Sequence, residues 1–163
     1  TGTDGTFSTQ TITGTIHIPA DVSGPPFNLD QSGKLYVLTQ DVTAQRAAFN
    51  LQATNIILDL DGHTVIYDNG TPSLSGVSWD QYVYSYEASM GVHSIYQGGS
   101  GVVNGIIRQG ANRGTGDIGY GFNTIYTAGD NTGGGEFAGL TLEWSGDSLG
   151  GVRMGAQIGR AHV

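Results

Sequence analysis

Residues 54–68 read TNIILDLDGHTVIYD. From Asn55 to Leu60 the apolar side chains Ile56, Leu58 and Leu60 recur at every second position, so they share one side of an extended chain. Ile57 and Asp59 take the other side. Asp61-Gly62 turns the chain, after which β-forming residues resume. A strand this short cannot bury its apolar side alone, and it needs stacked copies of itself.

The copies are present. GVVNGIIRQG (101–110) and EFAGLTLEW (136–144) repeat the pattern around a glycine, and aligning Gly62, Gly105 and Gly139 gives spacings of 43 and 34. A second set interleaves with the first: AFNLQ (48–52), GVHSI (91–95), GFNTI (121–125) and GVRMG (151–155). Aligning Phe49, Val92, Phe122 and Val152 gives 43, 30 and 30. Copies stacked at the strand spacing of roughly 4.8 Å run parallel and share a core. The expected register puts Phe49, Val92, Phe122 and Val152 in one column, and Leu58 on Val103 in another. These periods exceed a hairpin and hold no helical pattern, which disfavours β-sandwich hairpins and βαβ units.

Composition agrees with an all-β chain. Glycine supplies 28 of the 163 residues and charged side chains only 12 %, too few for long amphipathic helices. With 6 Lys and Arg against 14 Asp and Glu, there is no basic stripe to displace counterions from a phosphate backbone, so nucleic acid is not an expected partner. The absence of cysteine excludes disulfides and thiolate metal sites. No apolar run approaches the 18 or so residues of a membrane span.

The run at 54–68, preceded by GKLYVLTQDVTAQRAAFNLQ (33–52) and followed by VVNGIIRQG and FAGLTLEWSGDSLGGVRM, resembles the repeat signature of right-handed parallel β-helix proteins of the pectin-lyase-like group. The resemblance covers roughly residues 33–155. It implies a right-handed single-stranded parallel β-helix of about three to four coils, extracellular or at the cell surface. It also implies a protein directed at polysaccharide, of lyase, hydrolase or epimerase type. Lyases of this group use calcium with a basic residue, and the hydrolases use a set of aspartates. Neither constellation matches here residue by residue, so the catalytic residues stay unassigned and the catalytic coils are expected beyond Gln157. A non-catalytic structural or adhesive surface solenoid suits the low charge and the abundant Gly, Thr and Asn equally well.

Residues 1–32 read as an N-terminal cap or an earlier coil, and 33–157 as the coils, with an aromatic insert at 69–90. Residues 158–163, IGRAHV, are what ATC GGA AGA GCA CAC GTC encodes, a frame of a common short-read sequencing adapter. They are expected to be an artefact and carry no role.

Asn50, His93, Asn123 and Arg153 each follow an aligned apolar residue, so alternation turns all four away from the core as an exposed row. Arg would neutralise the carboxylate of an acidic sugar polymer and His could move a proton, whereas the structural reading is a solvated Asn ladder. Trp79 and Tyr82 of the insert offer rings on which sugars stack, or else fold over the side of the helix. Asp59, Asp61 and His63 invite a metal or acid–base reading, but Asp61-Gly62 is a turn pair and the structural reading is preferred. Asp117, Asp130, Glu136 and Asp147 could supply calcium with oxygen ligands, although no spacing forms an EF-hand loop or a Gly-rich nonapeptide repeat. No metal ligands are assigned.

Overall fold

The computed structural model describes residues 11–70, 91–95, 98–111, 125–128 and 137–143. These residues form strands and no helix. In chain order the strands are β1 (Thr15–Ile18), β2 (Phe27–Leu29), β3 (Leu35–Leu38), β4 (Val42–Thr43), β5 (Phe49–Leu51) and β6 (Ile57–Asp59). There follow β7 (Thr64–Tyr67), β8 (Val92–Ile95), β9 (Gly101–Gln109), β10 (Ile125–Ala128) and β11 (Phe137–Glu143).

Every pairing among them is parallel. One sheet runs β1-β3-β6-β9-β7-β4, with β11 also on β9, and the other runs β2-β5-β8-β10. In chain order the strands of the second sheet fall between strands of the first. Strand β9 is long enough to pair with two strands of the preceding rung: residues 101–103 lie on β6 and 106–109 on β7.

The rungs begin earlier, and repeat more closely, than the glycine alignment suggests. Thr15 pairs with Leu35, an interval of 20, and Leu35 pairs with Ile57, an interval of 22. Phe27 pairs with Phe49 at the same interval of 22. Strands β1 and β2 are therefore rungs of the same two sheets. The step from Ile57 to Gly101 is 44, about twice as long, and residues 71–90 of that step lie outside the described residues.

Inward alternation builds one core. Ile18, Phe27, Leu29, Tyr36, Leu38, Phe49, Leu58, Val65, Val92, Val102 and Ile107 are all buried, 2 % exposed or less. Phe27 and Phe49 stack across their rung with ring centroids 5.4 Å apart, a geometry that adds attraction beyond area burial. Tyr36 keeps its hydroxyl satisfied by accepting the Gln31 N–H at 3.0 Å, while burial pushes its phenol pKa up.

Two expected registers are corrected. Phe49 does pair with Val92, but the next partner of Val92 is Ile125, not Phe122. GFNTI offers two apolar residues of opposite parity, and pattern alone does not choose between them. Leu58 pairs with Val102, and Val103 faces Asp59. The cause is the corner. Leu60 to His63 separate β6 from β7, whereas only Asn104 and Gly105 separate the matching parts of β9. The interval between partners is thus 44 before the corner and 42 after it, and the glycine alignment averaged them. Gly105 makes this mismatch fit, because Leu60 of the longer corner bulges against it.

Candidate functional site

On the second sheet, the residues that alternate away from Phe27, Phe49 and Val92 form a polar row. Asn28 pairs with Asn50, Asn50 with His93, and His93 with Tyr126. Asn50 Nδ2 donates to Asn28 Oδ1 at 2.9 Å, and Gln52 Nε2 donates to the same oxygen at 3.1 Å. Asn28 is exposed and Gln52 half-buried.

The row departs from its expected exposure. Asn50 is 0 % and His93 1 % exposed. Alternation fixes which side of the sheet these residues take, and it says nothing about what lies over that side. Of the three members whose burial is described, Asn28, Asn50 and His93, Asn28 is the one that faces solvent. Asn50 Oδ1 is buried and has no hydrogen-bond partner among the described residues. Asn123, Arg153, Trp79 and Tyr82 lie outside the described residues, and the strand that pairs with β8 opposes Tyr126, not Asn123, to His93.

Asn28 and Gln52 were absent from the sequence-derived row, although the signal is present. FNLD (27–30) and FNLQ (49–52) are near copies, and their phenylalanines are rung partners. The motif is too short to stand out until the sheet aligns it.

The Asp59, Asp61 and His63 cluster holds the corner of the first sheet. Asp59 Oδ1 accepts the Asp61 N–H at 2.9 Å and an Asn104 side-chain N–H at 3.2 Å. This supports two neighbouring residues whose φ is positive, Asp61 at 46° and Asn104 at 59°. His63 Nδ1 lies 3.2 Å from Asp41 Oδ1, which also accepts the Thr64 N–H at 2.9 Å. That backbone bond first, and the imidazole second, hold the Asp41 carboxyl below the usual aspartate range. On the outer face Arg108 and Glu143 form an ion pair across rungs, which lowers the Glu143 pKa. At the far corner, buried Gln109 donates from Nε2 to buried Asp68 Oδ2 at 3.0 Å.

Among the described residues no three His, Asp or Glu side chains converge to hold a metal ion. Asp117, Asp130, Glu136 and Asp147, the loop acids considered for calcium, lie outside them. Nor is any helix there long and apolar enough to cross a membrane. Compared with known family models, curated proteins and solved structures, the chain matches none.

Proposed function

We propose that this chain is part of a right-handed single-stranded parallel β-helix, extracellular or at the cell surface, that engages polysaccharide on the outer side of its four-stranded sheet. The wholly parallel pairing and the regular alternation between two sheets support the solenoid reading. Its hand follows from the rule that parallel crossovers are right-handed in almost all proteins.

One observation carries the functional reading: amide side chains from successive rungs stand in register and hydrogen-bond one another on a β surface. Stacked rungs repeat a donor–acceptor pattern at roughly 4.8 Å intervals, and an extended polymer of hydroxyl-bearing units can meet such a pattern along its length. A titration of the chain with neutral and acidic polysaccharides, with and without a calcium chelator, tests it. Saturable binding of at least one class supports the reading, and no binding to any overturns it.

A second reading, a structural or adhesive solenoid without carbohydrate chemistry, is favoured by the use made of the acidic groups. Asp41 and Asp59 accept backbone N–H groups at one corner and Asp68 accepts from Gln109 at another, so each serves the folding of a bend. Failure of every glycan in the same titration is the result this reading expects.

A further inference from the structure

The two hydrogen bonds that converge on Asn28 decide what the open end of the row presents. Its Oδ1 accepts from both Asn50 Nδ2 and Gln52 Nε2, which uses both lone pairs of that oxygen. The Asn28 amide is thereby oriented, leaving Nδ2 as the outward group, a donor only. Gln52 spends one of its two N–H donors on Asn28 and keeps Oε1 as an acceptor. The donor group Asn28 Nδ2 and the acceptor Gln52 Oε1 thus belong to two side chains tied through a shared oxygen, with Asn28 exposed and Gln52 half-buried.

Asn50 beneath them is fully buried and cannot turn its amide freely, so it sets the orientation of Asn28. Its own Oδ1 is a further acceptor, and it lacks a partner among the described residues. A buried acceptor left unmatched is costly unless a hydroxyl or water donates to it. Asp30, exposed and two residues further along the chain from Asn28, adds a negative charge.

A carboxylate only accepts hydrogen bonds, so it would meet Gln52 Oε1 and Asp30 unfavourably. A vicinal diol both donates and accepts, and it matches the Asn28 Nδ2 and Gln52 Oε1 pair. We propose that Asn28 and Gln52 form a subsite for a vicinal diol of a neutral sugar, with Asn50 as the residue that positions them. This rests on the glycan reading above and narrows it, replacing the acidic polymer expected from the sequence by a neutral one.

The test is calorimetric titration of the full chain with xylo-, manno- and cello-oligosaccharides and, in parallel, with oligogalacturonate. The informative variant is Asn28→Asp. It retains an oxygen able to accept from Asn50 and Gln52, so the network under it persists, but it replaces the outward donor with an acceptor. Neutral-sugar binding should weaken by about tenfold or more, the equivalent of one lost hydrogen bond of about 1.4 kcal/mol. It should also be insensitive to added salt, since no charge pair is made. Gln52→Ala, which removes the acceptor at a position outside the strands, should weaken it as well and covers the case in which Asn28→Asp does not fold. Binding of oligogalacturonate in preference to all three neutral sugars overturns the subsite but leaves the glycan reading standing. Neutral binding unchanged in both variants also overturns the subsite alone. Absence of binding to every sugar overturns both.

Discussion

Replacing Gly105 by alanine sets two physical effects of opposite sign against each other. Glycine inside a strand costs roughly 0.5–1 kcal/mol of backbone entropy relative to alanine, so entropy alone predicts a more stable protein. The packing predicts the reverse. A Cβ at Gly105 would lie 2.5 Å from Leu60 Cβ, 2.8 Å from the His63 carbonyl oxygen and 2.9 Å from Leu60 Cδ1. Ordinary contact starts near 3.4 Å, so the overlap is 0.9 Å with Leu60 Cβ and 0.6 Å with the carbonyl. Neither neighbour yields easily. Leu60 is fully buried and a Cβ does not move with its rotamer, while the His63 carbonyl accepts the Ile106 N–H at 3.1 Å and ties the two rungs together. Overpacking of this kind costs about 1–3 kcal/mol, and contact with main chain places it at the upper end. After the entropy gain is subtracted, Gly105→Ala should destabilise by about 2 kcal/mol. Urea denaturation followed by circular dichroism reads this as a midpoint lowered by about 1 M, for a slope of about 2 kcal/mol/M. A Gly105→Ala variant as stable as the parent, or more so, would refute the account of the corner, because entropy would then have outweighed the clash.

Three further outcomes follow from the same structure. In a double-mutant cycle of Phe27→Leu and Phe49→Leu, the coupling measured by denaturation should be about 0.5–1.5 kcal/mol, the value of a ring pair beyond its area; additive effects would show that the rings merely fill space. Asp41 has its folded pKa held below the ordinary aspartate value, chiefly by the Thr64 N–H and then by His63. Its contribution should therefore be present above the unfolded pKa and vanish as pH falls through the folded one. Melting curves from about pH 6 to about pH 2 should fall less steeply for Asp41→Asn than for the parent, and parallel curves would remove Asp41 from the acid response. Arg108→Gln should remove a salt-sensitive part of the thermal stability, since both partners of its ion pair with Glu143 are partly exposed, side-chain exposure being 47 % and 43 %; identical salt dependence in parent and variant would show that the pair contributes nothing.

What the amino-acid sequence determined by itself was local. Alternation at Ile56, Leu58 and Leu60 identifies strands, and the glycine- and Asn/Asp-marked bends identify where they stop. Repetition of such units makes stacked, parallel strands the economical solution, and the pairing of Phe49 with Val92 follows from it. The amide row was half-legible in the same way, since Asn50 and His93 alternate with apolar neighbours and FNLD repeats as FNLQ. Three things needed the tertiary structure. Register did, because partners are chosen by the whole ladder: the longer corner at Leu60 to His63 moved Leu58 from Val103 to Val102, and Ile125 displaced Phe122. Burial did, because alternation assigns a side chain to a side of the sheet and is blind to whether that side is covered, as it is at Asn50 and His93. The orientation of Asn28 did as well, because an amide's donor and acceptor ends are interchangeable in sequence and are told apart only by Asn50 and Gln52, partners that the next rung brings alongside.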